Sequence, residues 1–187
     1  AMVLPYGKAS SADTEDALEA SRVLGVVNHV VDISPQIDAY FAANPTDNRL
    51  LRGNKMARER MSVIYDFSVR EKALPLGTSN KTELLIGYGT IYGDMASAIN
   101  PIGDLYKTQI RQMAAHLGVP EKIITKAPTA GLWPGQTDET EIGLKYEELD
   151  RMLYHLIDLR MSVDKAAECG FDKAALTRVM RMVEGSE

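Results

Sequence analysis

Cysteine is almost absent: Cys169 is the only one in 187 residues. No internal disulfide is possible, and a reducing cytoplasm is the expected setting. With no CxxC and no nearby histidine, Cys169 reads as a small buried hydrophobe, not as a metal ligand or a nucleophile. No apolar run approaches the roughly 18 residues a membrane span needs. The opening Ala1-Met2-Val3-Leu4-Pro5-Tyr6 has no basic stretch followed by an apolar one, so it is not expected to be a signal peptide. Positive charge is not in excess: 21 Lys and Arg face 26 Asp and Glu, a net charge of −5. That argues against a general nucleic-acid binder. It leaves phosphate binding open, because a local cluster of donors is enough for that.

What is present is globular in composition, with 45 % hydrophobic and 25 % charged residues. The length suits one compact core with appendages. Nine methionines read as core filler, since no aromatic box surrounds them. His29 and His116 read as ordinary fold residues, and His155 as a helix-surface residue.

Met2 to Tyr6 reads as a strand entering a turn at Pro5-Tyr6-Gly7. Thr14 to Leu24 has helical spacing, with Ser11 or Asp13 available as a cap and Gly25 suited to its exit. Val26 to Ile33 (VVNHVVDI) reads as a second strand, and Ser34-Pro35 open another helix. This alternation implies an α/β protein with parallel strands and right-handed crossovers. Leu50 to Lys72 reads as one long helix with Met56, Ala57, Met61, Ile64, Tyr65 and Val69 along its apolar stripe. Ala73 to Gly77 is a short strand, and Ser79 or Asn80 caps the helix that follows. Residues 86–102 are glycine-rich and irregular. Asp104 is expected to cap a helix running to His116. The stretch from Lys126 to Gly143 has no period, and a loop of about 18 residues is typically a lid or a disordered segment. Three helical patterns close the chain: Tyr146 to Ile157, Ser162 to Glu168, and Asp172 to Val183. Nothing marks a second domain.

In an open parallel sheet, ligands bind beyond the carboxyl ends of the strands. Three segments fall there: Leu4-Pro5-Tyr6-Gly7, Gly77-Thr78-Ser79-Asn80-Lys81-Thr82-Glu83, and Asp104-Leu105-Tyr106-Lys107-Thr108. The second favours an anion at its helix start. Its Glu83 either complements the helix dipole or offers a carboxylate to a hard cation such as Mg²⁺. Lys107 is either a solvated surface lysine or the partner of an anion, since a lysine is unfavourable at a positive helix end. Arg58 and Arg60 stand two positions apart on the long helix, so at most one serves a given site.

Taken together, these segments are far more specific. Gly53-Asn54-Lys55-Met56-Ala57-Arg58-Glu59-Arg60-Met61, Leu76 to Glu83, Tyr92-Gly93-Asp94, Gly103 to Thr108, Ala127-Pro128-Thr129-Ala130-Gly131-Leu132-Trp133 and Gly135-Gln136-Thr137-Asp138-Glu139 resemble NAD⁺ synthetases in order and spacing. Leu4-Pro5-Tyr6-Gly7 with Ser10-Ser11 matches that family's second strand and helix. The resemblance covers nearly the whole chain, and it is to the ammonia-dependent type within the N-type ATP pyrophosphatases. It implies a Rossmann-like, adenine nucleotide alpha-hydrolase-like parallel sheet flanked by helices. It also implies ligation of ammonia to nicotinic acid adenine dinucleotide (deamido-NAD⁺), with ATP as co-substrate and an acyl-adenylate intermediate.

Position by position, the resemblance implies that Thr78, Lys107 and Thr129 bind ATP and that Glu83 ligates Mg²⁺. Lys107 and Glu83 carry the catalytic role, and Arg58 contacts deamido-NAD⁺. Lys126 to Gly143 is expected to close over the adenylate. A cytoplasmic homodimer is expected, with no membrane or nucleic-acid partner. The chain departs from the family in four places. The Ser-Gly-Gly-x-Asp-Ser loop and the C-terminal His-Lys pair are missing, Ile91 stands where small bacterial members often have Lys, and Ala98 where they have Asp. Residues 1–187 are therefore expected to be a single domain incomplete at both ends. The rival readings are another ATP-pyrophosphatase-type amide ligase, or a non-catalytic dimerisation or binding module.

Overall fold

The computed structural model describes residues 1–7, 11–133 and 135–186. Ser10, Pro134 and the side chain of Ser11, which carried parts of the sequence reading, lie outside it. Two short parallel strands, β1 (Met2–Val3) and β2 (His29–Val30), pair Met2 with His29 and Val3 with Val30. Backbone bonds extend the pairing past both strands: His29 N–H donates to Ala1, Val31 to Val3 and Ile33 to Pro5. The crossover between them is α1 (Ser11–Val23), whose first turn carries Asp13 against the positive helix end.

Helix α2 (Ser34–Ala43) has Pro35 in its first turn, where the missing N–H costs nothing. It packs on α3 (Arg49–Glu71), whose start is capped by the Asn48 side chain accepting from Leu51 N–H. Ile33, Ile37, Phe41, Met56 and Leu4 form the smaller of two hydrophobic clusters. A second parallel β contact joins Leu76 to Ile99, with Gly77 N–H donating to Ile99 O at 2.7 Å. A side chain at Gly77 would sit 2.7 Å from Ser97 Oγ and 2.9 Å from Asn100, so any larger residue would push these side chains aside.

The remaining elements are helical: α4 (Lys81–Ile86), α5 (Lys107–His116), α6 (Glu121–Ile124), α7 (Asp138–Ile142), α8 (Tyr146–Leu153), α9 (Val163–Glu168) and α10 (Lys173–Ser186). α8 runs on through a π-helical turn, Tyr154–Asp158. The main core gathers here, with Tyr146, Leu149, Met152, Leu153, Leu176 and Val179 fully buried.

Several expectations are corrected. Regular strand within Val26–Ile33 is confined to His29–Val30, because β1 is the only partner that pairs with it among the described residues. Ala73–Gly77 is not a strand but contributes a single bridge at Leu76. The helix after residue 104 starts at Lys107, and the Asp104 side chain is 98 % exposed. The aperiodic stretch holds α7 near its end, with Thr137 accepting from Thr140 N–H. Cys169 is exposed, not buried.

Candidate active site

The turn after Leu76 leaves Thr78 exposed and buries Ser79 and Asn80. Asn80 caps α4: its side chain accepts from Glu83 N–H at 3.0 Å, and Glu83 Oε2 accepts from Asn80 N–H at 3.1 Å. This reciprocal box freezes the first turn of α4 and fixes the Glu83 carboxylate. Glu83 thus lies in the first turn against the positive end of α4. Its other oxygen, Oε1, lies 3.2 Å from Lys107 Nζ. Only 23 % of the lysine side chain and 16 % of the glutamate side chain is exposed, so Lys107 is not a solvated surface lysine. Its ammonium also sits 5.2 Å from the centre of the Tyr146 ring.

Segment 78–83 and segment 105–108 run alongside each other. Lys81 N–H donates to Leu105 O at 2.8 Å, and Lys107 N–H to the Thr82 hydroxyl at 3.1 Å. Thr82 donates in turn to Asp150 Oδ1 at 2.6 Å, and Asp150 Oδ2 accepts from Thr108 N–H at 2.8 Å. The first N–H groups of α5 are thus satisfied by side chains from α4 and α8, which is why Asp104 is not needed as a cap.

Tyrosines line the underside. The Tyr146 hydroxyl donates to Asp138 Oδ2 at 3.0 Å, and the Tyr88 hydroxyl lies 2.5 Å from Glu141 and 3.1 Å from Asp138. Burial first, then the neighbouring carboxylates, pushes both phenols far above their ordinary range, so they stay protonated donors. Tyr106 behaves alike, held by Asp158 at 2.8 Å.

The predicted set is only partly brought together. Glu83 and Lys107 touch, and Thr78 opens the turn that carries Glu83. Thr129 is exposed on the long loop, its hydroxyl accepting from Gly131 N–H at 3.1 Å. That loop is seated by Leu132, which lies where a side chain at Gly53 would be, 2.7 Å from the ideal Cβ. Lys126 ties the start of the loop to Asp13 and Asp16 of α1. Arg58 is exposed and donates to Ile91 O, whereas Arg60 donates to Leu4 O, so the two do diverge. An open cavity of about 510 Å³ between Ala127-Pro128 and Thr137–Lys145 contains none of the predicted site residues.

Among the described residues no group of three or more His, Cys, Asp or Glu is arranged to hold a metal. A single carboxylate at Glu83 nevertheless fits Mg²⁺, which commonly takes one or two protein oxygens and completes its shell with phosphates and water. Asp150, Tyr146 and Tyr88 were not found from sequence. One signal was available: Asp150 falls on the same helical face as Tyr146 and Leu153, where an acid is out of place.

A sequence profile of the NAD synthase family matches residues 1–187. The chain belongs to this family. It is 48 % identical over 186 residues to an NH(3)-dependent NAD(+) synthetase of Trichlorobacter lovleyi, covering 100 % of this chain and 68 % of that protein. With the enzyme of that name from Chlorobium phaeobacteroides it shares 49 % over 185 residues, covering 98 % and 66 %. The chain thus spans about two thirds of these relatives. Among solved structures it resembles an NMN synthetase from Francisella tularensis, with TM-score 0.85, 33 % identity and coverage of 100 % and 73 %. It also resembles an NH3-dependent NAD synthetase from Campylobacter jejuni, with TM-score 0.80, 32 % identity and coverage of 98 % and 71 %. These likenesses give the NAD synthase family member an α/β fold with a parallel sheet flanked by helices, as expected. No described helix is long and apolar enough to cross a membrane.

Proposed function

We propose that the protein carrying this chain is an ammonia-dependent ligase that converts nicotinic acid adenine dinucleotide to NAD⁺ with ATP. The observation that carries the reading is the Lys107–Glu83 pair at the shared edge of α4 and α5, with Thr78 opening the same turn. A carboxylate is a poor acyl donor until it is activated. The nicotinate oxygen attacks the α-phosphorus of ATP, the bond to the bridging oxygen breaks, and pyrophosphate leaves. Ammonia then attacks the acyl carbon, AMP departs with the bonding pair, and the nitrogen loses a proton.

In this reading Lys107 exchanges Glu83 for the triphosphate and stabilises its charge as pyrophosphate leaves. Glu83, released from the lysine, would hold Mg²⁺. Magnesium would supply further neutralisation of phosphate charge. Thr78 and Thr129 hold ATP through their exposed hydroxyls, and the loop bearing Thr129 keeps water from the adenylate. Arg58 contacts the deamido-dinucleotide. We place the chain in one domain and in the cytoplasm. We also place it in a homodimer, which the exposed Leu50, Leu51 and Val69 of α3 support. A monomeric mass by light scattering would remove the last point.

A second reading replaces the dinucleotide by nicotinic acid mononucleotide. Ile91 and Ala98, both exposed and uncharged, favour it, because they offer no charge at positions where small bacterial members often carry one. The likeness to an NMN synthetase points the same way. The test gives the full-length protein ATP, Mg²⁺ and ammonia with either acid. NAD⁺ with equimolar AMP supports the first reading. Amidation of the mononucleotide alone selects the second, and no amide from either rejects both. Mg²⁺-dependent ATP binding in a titration separates an enzyme from a binding module.

A further inference from the structure

Behind the Lys107–Glu83 pair lies a carboxylate to which the proposed reaction so far gives no part. Asp150 is on the buried face of α8 and is 5 % exposed. Its two oxygens serve two other helices: Oδ1 accepts the Thr82 hydroxyl of α4 at 2.6 Å, and Oδ2 accepts Thr108 N–H of α5 at 2.8 Å. The Thr82 oxygen also accepts Lys107 N–H at 3.1 Å. Every one of these contacts falls on Lys107 itself or on the immediate neighbour of Glu83 or Lys107.

We propose that Asp150, acting through Thr82, is a positioning residue for carboxylate activation: it sets the spacing at which Glu83 and Lys107 meet ATP. The inference rests on the ligase reading above. Three arguments lead to it. First, α5 begins with a lysine and has no acid in its first turn. The positive helix end repels that lysine, and Asp150 supplies the missing negative charge from outside the helix. Second, a buried carboxylate is costly unless it is hydrogen-bonded, and an apolar residue at this place in α8 would pack without that cost. The charge is kept where both of its oxygens brace the two helix starts that carry the site. Third, Asp150 is embedded among Tyr146, Leu149 and Leu153, all fully buried, so the brace has little freedom to move. A displaced charge of even 1 Å weakens a transition state it was placed to meet.

The test compares D150N, T82V and T82S with the parent in the full-length protein. Carboxylate activation is read as pyrophosphate–ATP exchange dependent on the deamido-dinucleotide, normalised to folded protein. D150N and T82V should each lose about tenfold to hundredfold in kcat for this step. KM for the deamido-dinucleotide should stay within about twofold, and T82S should restore most of the rate. The double variant should fall little below the worse single one, because both substitutions cut one chain of contacts. Parent-like kcat in T82V overturns the proposal. So does a D150N loss that vanishes after normalisation, which would mean a purely structural role. If D150N does not fold, the T82V and T82S pair decides.

Amide hydrogen exchange across residues 104–110 gives a readout without turnover. Exchange at the start of α5 should speed up by about tenfold in D150N and T82V, and unchanged protection in both overturns the proposal. If the parent itself forms no amide, the ligase reading fails on its own, and this exchange measurement still decides whether Asp150 holds the helix.

Discussion

The helical segment beyond residue 140 and the two-stranded ribbon near the start of the chain cover their apolar side chains to different extents. In the first, Tyr146, Leu149, Met152, Leu153, Leu176 and Val179 are fully buried. In the second, Val3, Leu4 and Ile33 are buried, but Val27 is 76 % exposed and Val30 52 %. Amphipathic helices close their own stripes by packing on one another, whereas a two-stranded ribbon cannot cover both of its faces. The site lies on the boundary between the two regimes. Glu83 and Lys107 are braced by Asp150, through Thr82, and by Tyr146, while Thr78 in the same turn as Glu83 stands exposed. Braced charges beside an exposed turn are the arrangement that the proposed activation calls for.

The widest separation should appear in stability. Leu153→Ala removes a fully buried side chain and should cost about 2–5 kcal/mol, against about 0.5 kcal/mol or less for Val27→Ala. Urea unfolding of both variants checks this. An equal loss at Val27 would mean that the strand face is packed in solution, and the contrast would disappear.

Next comes the site itself. Glu83→Gln keeps a side chain able to complete the capping box but removes the charge. Activation should fall by about tenfold or more while the melting temperature changes little, because only the charge is needed for chemistry. Pyrophosphate–ATP exchange alongside thermal unfolding measures the two effects. A melting temperature that drops in step with the rate would return Glu83 to a purely capping role.

How far the sequence carried depends on the range of the contacts involved. Helix α3 was legible almost to the residue, because a stripe of this length repeats its signal many times. That Glu83 and Lys107 stand together was legible from the family spacing, since helix-start chemistry alone left both with two readings. The cap at Asp104 failed because the real acceptors, Thr82 and Asp150, come from residues 25 and 42 positions away. Helix α7 was missed because five residues are too few to show a period. The strand over Val26–Ile33 was overdrawn because β-branched composition records fitness for a pleated surface, and a strand also needs a partner. Cys169 was placed inside on the habits of its residue type, although its position at the end of α9 leaves it exposed.

A smaller effect separates the cap from the chemistry. Asn80→Ala removes the acceptor for Glu83 N–H and should cost about 1 kcal/mol of stability. Because the same box orients Glu83, the rate of activation should fall too, but by less than in Glu83→Gln. A rate loss exceeding that of Glu83→Gln would show that orientation outweighs charge at this carboxylate.

The smallest effect is a pH dependence on the helical side of the boundary. Asp158 accepts from Lys81 Nζ at 2.7 Å and from the Tyr106 hydroxyl at 2.8 Å. The lysine first, then the phenol, holds its carboxyl below the ordinary carboxylate range, against the pull of burial. A carboxylate that binds its proton less readily when folded stabilises the fold above its unfolded pKa of about 3.9. That contribution is lost as pH falls from there through the folded value. Between pH 6 and pH 3 the parent should therefore lose more melting temperature than Asp158→Asn, which has no such charge to titrate. The difference should be modest, because the side chain is 30 % exposed and solvent screens the pair. Identical acid curves would mean that Asp158 is no brace at the start of α4, leaving Asp150 as the carboxylate that holds the two helix starts together.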